Sequence, residues 1–487
     1  MSGEDLTTEL APGLRISRVV TGLWQIADME RDDKTVDLDA AARSMTAYQQ
    51  AGLTTFDMAD HYGSSEDIAG IFRTKYAGDT SGQFLTKWVP TPGGSTRKAV
   101  KAAVDRALDR LQADRIDLLQ YHAWNYADPS YLDDLYYLNE LKAEGYISHL
   151  GVTNFDTAHL RVVLGAGIDI VSNQICYSLL DQRAAGEMAG FCVEKDIKLL
   201  AFGTLAGGFL SERWFGEPEP EMGALRTWSQ MKYKRYIDAA GGWQVFQNLL
   251  AVLDKVAQEM GVSLANVASR FILQSPSVGA VIIGARLGLS EHIESNSKLL
   301  SFGLSETALK SIEAALQNMT PIPGDCGDEY RKPPFLTASG DLSHHLDALP
   351  APYPTRPGKS GKTLALSGTI WEDLAGFSRA VRKGDTIYVS GTTATHKDRV
   401  IGKADPATQA QYIIDKIEGA LQSLGGTLED VVRTRIYIRN MNDWEAVSRV
   451  HGARFGGIQP ANTLVQANLV GDDYLVEIEA DAVVRST

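Results

Sequence analysis

From Ile16 to Ala285 the chain alternates short apolar runs with longer stretches whose apolar residues recur every three or four positions. The runs are Ile16–Ile26, Thr54–Asp60, Phe84–Trp88, Ile116–Ala123, Ile147–Phe155, Val171–Tyr177, Lys198–Leu205 and Val278–Ala285. Near-continuous apolar character over so few residues predicts strands buried on both faces, as in a parallel sheet. The stretches between them, such as Asp37–Ala51, Ser95–Leu111 and Tyr131–Glu144, predict amphipathic helices. Strand-then-helix repetition through all eight runs predicts an α/β fold, a (β/α)8 TIM barrel. Ahead of it, Thr8–Ser17 holds Pro12-Gly13 between two short β-like arms and predicts a hairpin closing the barrel bottom.

One connection is oversized. Ser211–Gly242, after the seventh strand, carries Trp214, Phe215, Trp228, Tyr233 and Tyr236, and long loops at the C-terminal rim of a barrel shape the substrate pocket. The composition then shifts: residues 319–360 hold eight of the 17 prolines without sustained periodicity, which predicts a linker or extended arm. Its Tyr330, Phe335 and Leu336 are candidates to pack on the barrel mouth. From Leu364 a mixed pattern begins. Phe377–Val381, Thr386–Ser390, Arg433–Ile438, Thr463–Ala467 and Leu475–Val484 predict strands, and Ala407–Leu424 and Asn442–Phe455 predict helices. Asn442 with Glu445 resembles a capping box at the start of the second helix. The expected division is a barrel over residues 1–320, an arm over 321–363 and a smaller α+β domain over 364–487.

Bulk properties narrow the partners. A formal charge of −14 with no basic run argues against nucleic acid, whose phosphates demand clustered cations. No 18 uninterrupted apolar residues occur and Met1 to Leu10 is polar, so a cytoplasmic protein with no membrane contact is expected. Cys176, Cys192 and Cys326 are too scattered for a disulfide scaffold or a metal-ligand spacing; they read as reduced and structural, and no metal is expected.

Polar residues at three strand ends make a chemical set. Asp57 and Tyr62 lie in Phe56-Asp57-Met58-Ala59-Asp60-His61-Tyr62-Gly63, Lys87 follows Leu85-Thr86, and His122 closes Leu118-Leu119-Gln120-Tyr121-His122. A phenol titrates near pH ~10, so Tyr62 gives a proton to a developing alkoxide near neutrality only if a nearby ammonium lowers its pKa. Lys87 is that candidate, Asp57 would keep it charged and oriented, and neutral His122 would aim a hydrogen bond at a carbonyl oxygen. His61 and Asp60 read as loop scaffold. The ordered set resembles the aldo-keto reductase family, whose tetrad is an Asp-x-x-x-x-Tyr-Gly segment, a Lys and a His in this order; all four positions match.

Further strand ends fit the same family. Gly151-Val152-Thr153-Asn154-Phe155 and Ser172-Asn173-Gln174 offer short amides for a carboxamide, and Tyr177 a flat face for a nicotinamide ring. Ile283-Gly284-Ala285-Arg286 leads into a segment with His292, Glu294 and Asn296, a turn suited to phosphate. The resemblance, covering about residues 8–320, implies NADP(H) as cofactor, with Gly22, Trp24, Thr153, Asn154, Gln174, Tyr177, Gly203, Leu205, Gly284, Arg286, His292, Glu294 and Asn296 around it. Thr153 stands where the family usually has Ser and His292 where it has Gln. Arg286 would clasp the 2′-phosphate.

Gly384-Asp385-Thr386-Ile387-Tyr388-Val389-Ser390-Gly391-Thr392, Pro460-Ala461-Asn462 and Val476-Glu477-Ile478-Glu479-Ala480 resemble the Rid family over about residues 364–485. The resemblance implies a chorismate-mutase-like α+β fold, a trimer or dimer of trimers, and sites at subunit clefts that hydrolyse imines or enamines. Its candidate residues here are Ser390, Asn462 and Glu479. Asn462 replaces the arginine that grips a carboxylate in the family's deaminases, and Phe377 replaces its usual tyrosine, which argues against a 2-imino acid deaminase. The expected function is NADPH-dependent reduction of a small aldehyde or ketone, or the reverse oxidation, with a trimerising domain that is either an imine hydrolase or a scaffold. The alternative is a catalytically silent nucleotide-binding or structural module on that scaffold.

Overall fold

The computed structural model describes residues 6–31, 34–78, 82–289, 292–337 and 348–484. A hairpin of β1 (Thr7–Ala11) and β2 (Leu14–Ser17) turns at Pro12-Gly13. A closed parallel barrel follows: β3 (Val19–Gly22), β4 (Thr55–Asp57), β5 (Gln83–Trp88), β6 (Ile116–Tyr121), β7 (Ile147–Thr153), β8 (Ser172–Cys176), β9 (Lys198–Phe202) and β10 (Val278–Gly284), with β10 pairing with both β9 and β3. The run Ile16–Ile26 is therefore not one strand. It holds the end of the hairpin, a break at Arg18, β3, and the start of a short helix, Gln25–Met29. All of these are apolar and buried, so hydrophobicity alone does not mark the joints.

The period-two alternation of the strands sets what the barrel contains. Val20, Leu85, Leu118, Leu200 and Ile282 form an apolar layer with Leu10, Leu14 and Ile16 of the hairpin, which plugs the bottom. Two positions further along β5 and β6, Lys87 and Gln120 occupy the next layer up, both buried. The polar residues thus collect at the C-terminal rim, above a dry floor.

Ser211–Gly242 is not a simple loop: after two 3-10 turns it forms a helix, Trp228–Ala239, started by Thr227, whose hydroxyl accepts from Gln230 N at 3.1 Å. Gly203, at φ +80°, lets this helix close on the rim, since a Cβ there would collide with the Tyr233 phenol.

The proline-rich stretch is also structured where described. A short helix, Asp328–Arg331, returns to the barrel mouth, and Arg331 clamps it by donating to the carbonyls of Ala123 and Asn154, each at 2.8 Å. Further on, β11 (Thr355–Pro357) and β12 (Lys362–Ala365) belong to the second sheet. That sheet continues with β13 (Ala380–Lys383), β14 (Thr386–Thr393), β17 (Val431–Ile438), β18 (Ala461–Gln466) and β19 (Val476–Val483); a ribbon of β15 (Thr395–His396) and β16 (Arg399–Val400) stands apart. Its order is β11-β12-β13-β14-β19-β17-β18, antiparallel except for the parallel pair β17-β18.

Two helices, Pro406–Ser423 and Trp444–Phe455, accompany the sheet. The second is not opened by Asn442: Asn440 caps a preceding 3-10 turn through Asn442 N at 3.0 Å, and the helix begins after Asp443. Helix Pro406–Ser423 is buried almost all round, because one side meets the sheet and the other the barrel helix Thr157–Gly165. Gly402 N donates to Gly165 O at 3.0 Å across this junction. No helix among the described residues is long and apolar enough to cross a membrane.

Candidate active site

A cavity of about 470 Å³ opens at the C-terminal rim, and Asp57, Tyr62, Lys87 and His122 all line it. Lys87 Nζ donates to Asp57 Oδ2 and to the Met58 carbonyl, both at 2.7 Å, and lies 4.6 Å from the centre of the Tyr62 ring. Gln174 Nε2 steadies the other carboxylate oxygen of Asp57 at 2.7 Å. Trp24 meets the Tyr62 ring edge-on at 4.9 Å, and His122 packs against Trp124 at 4.5 Å and Tyr330 at 5.7 Å.

The electrostatics depart from expectation at one point. Burial is the largest influence on Tyr62 and raises its pKa; Lys87 pulls it down but does not overcome burial, and Asp57 adds to the rise. Burial is also the largest influence on Lys87 and opposes its charge, yet Asp57 and Tyr62 outweigh it and hold the ammonium above its usual range. The phenol is therefore kept protonated beside a firmly charged lysine.

Most of the expected cofactor residues line the same cavity: Gly22, Trp24, Thr153, Asn154, Gln174, Gly203, Leu205, Gly284, Arg286 and His292. Gly22 is a fitted glycine, since a Cβ there would lie 2.8 Å from the Ile282 side chain. Asn154, held at φ +60°, leaves its Oδ1 buried and without a partner among the described residues, and Arg286 Nε is likewise unpaired. A carboxamide and a phosphate are the complements of those two groups, so the residues present fit a nicotinamide dinucleotide.

Three expected residues are not brought to the cavity. Tyr177 packs in the core just beyond the end of β8 at Cys176, while Phe202, at the end of the neighbouring β9, does line the cavity. Glu294 points to solvent and pairs with Lys298 at 3.0 Å, and Asn296 is buried in its own short helix. His61, read as scaffold, does line the cavity, while Asp60 supports the loop by accepting from Val89 N at 3.3 Å.

Sequence reasoning did not single out Lys232. On helix Trp228–Ala239 it lines the cavity and donates to Tyr330 Oη at 3.0 Å, so two chain segments meet over the tetrad. A lysine on a polar helix reads as solvated, and nothing local distinguishes this one.

In the second domain the three candidates are apart within one chain. Ser390 Oγ donates to Ser378 O at 2.8 Å. Asn462 is turned to the helix side of the edge strand, donating to Thr434 Oγ1 at 2.9 Å. Glu479 is engaged by Arg435 at 2.9 Å and Tyr437 at 3.2 Å on the open face. The glutamate beside Ser390-Gly391 is Glu477, whose carboxylate a Cβ on Gly391 would strike, and burial raises its pKa.

A closed parallel barrel with converging polar residues at its C-terminal rim is the architecture of a barrel enzyme. Residues 18–317 match the model described as Aldo/keto reductase family, and residues 369–484 match Endoribonuclease L-PSP, the Rid type. The chain belongs to the aldo-keto reductase family and carries a Rid domain behind its barrel. Aldo-keto reductase YhdN of Bacillus subtilis is 26% identical over 346 residues, 66% of this chain and 96% of its own. Uncharacterized protein SCO2049 of Streptomyces coelicolor is 36% identical over 117 residues, 24% of this chain and 87% of its own. The solved glycerol dehydrogenase AKR11B4 from Gluconobacter oxydans shares the fold at 21% identity and a TM-score of 0.55, covering 66% of this chain and 98% of that one.

Proposed function

We propose that the barrel is an NADPH-dependent carbonyl reductase. The observation that carries this reading is the Asp57–Lys87 pair under the Tyr62 ring, in one cavity with His122 and with Asn154 and Arg286, whose Oδ1 and Nε have no partner among the described residues. Bound NADPH would supply the hydride to the carbonyl carbon. The chain's residues handle the oxygen: Tyr62 gives its proton to the forming alkoxide, and the Lys87 ammonium stabilises the phenolate left behind. Asp57 holds Lys87 in place, and a His122 ring N–H meets the same oxygen and orients the substrate. Asn154 and Thr153 would hold the carboxamide, and Arg286 the 2′-phosphate. The test is NADPH consumption with a panel of aldehydes. Quenching of protein fluorescence by NADPH with no turnover on any aldehyde would replace this reading with a silent nucleotide-binding module.

For the Rid domain we propose assembly as a homotrimer, with no independent deaminase role. Tyr388, Val465 and Val483 are exposed on strands of the sheet. Exposed apolar side chains set among the Arg435–Glu479 and Arg435–Asp481 pairs of that face call for a partner surface, and closed symmetry supplies it. Asn462 carries no charge to grip a carboxylate. A cytoplasmic location accords with this chemistry, since NADPH and reduced thiols belong together.

A further inference from the structure

Resting on the reductase reading, one group in the cavity remains unexplained by carbonyl chemistry. Lys232 brings an ammonium to the cavity wall, where it is ringed by aromatic faces: Phe202 and Tyr330 at 5.0 Å, Tyr233 at 5.4 Å and Tyr236 at 5.7 Å. Its single hydrogen bond among the described residues goes to the neutral Tyr330 hydroxyl, and it has no ion pair among them. The carboxylate next in sequence to Tyr330, Glu329, spends one oxygen on Arg183 at 2.8 Å, which also binds Asp181 at 2.6 Å; it makes no contact with Lys232 and only helps, through space, to keep that ammonium charged. An ammonium has three donors, so Lys232 keeps two for whatever enters. With no carboxylate in contact among the described residues, those two donors at a cavity wall mark a place where a ligand brings one.

The position says which ligand. Tyr330 touches Lys232 through its hydroxyl and His122 through its ring, so the ammonium lies one aromatic side chain away from the group that would orient the reacting carbonyl. Arg286, the cation proposed for the cofactor, stands instead at the end of β10. Tyr330 itself is held by Arg331, which is anchored to the carbonyls of Ala123 and Asn154 and lies 4.4 Å over the Tyr126 ring. We propose that Lys232 is the specificity-determining residue of the site, and that the substrate is an aldehyde or ketone bearing an anionic group, a carboxylate, which Lys232 and Tyr330 hold while the carbonyl lies between Tyr62 and His122.

The same ammonium is able to meet an anionic oxygen from another source, a phosphate of the cofactor, and the test separates the two. The probes are 4-carboxybenzaldehyde and its neutral methyl ester, with kcat and KM measured for the full-length wild type, Lys232→Met and Lys232→Arg, and NADPH affinity by fluorescence titration. The wild type is expected to favour the acid over the ester at least tenfold in kcat/KM. Lys232→Met should collapse that ratio by roughly tenfold or more, chiefly through KM, and Lys232→Arg should restore most of it. NADPH affinity should stay within about threefold, which also reports an intact fold. A wild type with no preference for the acid, or an acid-to-ester ratio unmoved in Lys232→Met, overturns the proposal. A loss confined to NADPH affinity overturns it in favour of a cofactor phosphate. If the wild type reduces neither aldehyde nor any of the wider panel, the reductase reading falls and this inference with it.

Discussion

His159 Nε2, on the barrel helix Thr157–Gly165, stands 3.2 Å from Asp415 Oδ2 on the Rid helix Pro406–Ser423, and both side chains are buried. The other ring nitrogen of His159 is 2.7 Å from Asp156, and Arg454 closes the set from the Rid side by pairing with Asp415 and Glu418. The junction between the domains is therefore ionic at its centre, and pH should read it.

Burial is the largest influence on His159 and opposes its charge, but Asp156 and Asp415 outweigh it and lift its pKa from the ordinary 6.5 to about 9. A raised histidine stabilises fully below its unfolded value, and that contribution is lost as pH climbs from about 6.5 through 9. Asp156 goes the other way: burial, the largest influence, favours the neutral acid, yet His159 holds it at about 2 against an ordinary 3.8. Its contribution is present above about 4 and lost on acidification towards 2. Calorimetry should show maximal stability between those limits, with a decline of the order of 1–3 kcal/mol from pH 6 to 9.5 that His159→Gln flattens.

Tyr62→Phe should lower turnover by roughly 100-fold or more while NADPH affinity stays nearly unchanged, the pattern for a positioned acid. Because burial keeps the phenol protonated, wild-type reduction should persist into mildly alkaline pH without an acid-like fall near neutrality. Turnover in Tyr62→Phe within about threefold of wild type would remove the residue from the reaction.

Arg286→Ala should raise KM for NADPH far more than KM for NADH, since only the former carries the 2′-phosphate. Equal effects on both would assign Arg286 elsewhere.

Arg331→Leu removes two charge-assisted hydrogen bonds, leaving the Ala123 carbonyl without its donor and the Asn154 carbonyl with only the longer bond from the Tyr126 hydroxyl at 3.4 Å. A loss of about 2 kcal/mol in stability is expected. Substrate KM should rise as well, because Tyr330 loses its anchor. A stability loss with unaltered KM would show that Tyr330 does not meet the substrate.

Light scattering on the full chain should return a trimer or a dimer of trimers, and Tyr388→Asp with Val465→Asp should dissociate it, because each puts a new carboxylate into the proposed interface with no cation to pair it. A wild-type monomer would refute the assembly.

The strand runs were legible because a parallel strand buried on both faces has to be mostly apolar, and the polar residue on which it ends marks the rim. Asp57, Lys87 and His122 were found in that way, and Tyr62 by its place in the turn between them. The segmentation of Ile16–Ile26 was not legible, since hairpin, strand and helix there are all buried and share one composition. Periodicity also reports a single buried face. It exposed the sheet-facing side of Pro406–Ser423 at Ile413, Ile417 and Leu421, but Gln411 and Asp415 look solvated until the barrel helix covers them. Lys232 and Tyr330 belong to segments with no shared local pattern, and they meet only because Gly203 admits one helix to the rim and Arg331 pins the other. What the sequence determined by itself was the alternation that builds the barrel and the order of its reactive residues, because both are encoded in neighbouring positions. Which faces are buried twice, which candidates reach the cavity and which ammonium keeps spare donors at its wall were decided by tertiary packing, where the partner of each side chain is set by long-range contacts.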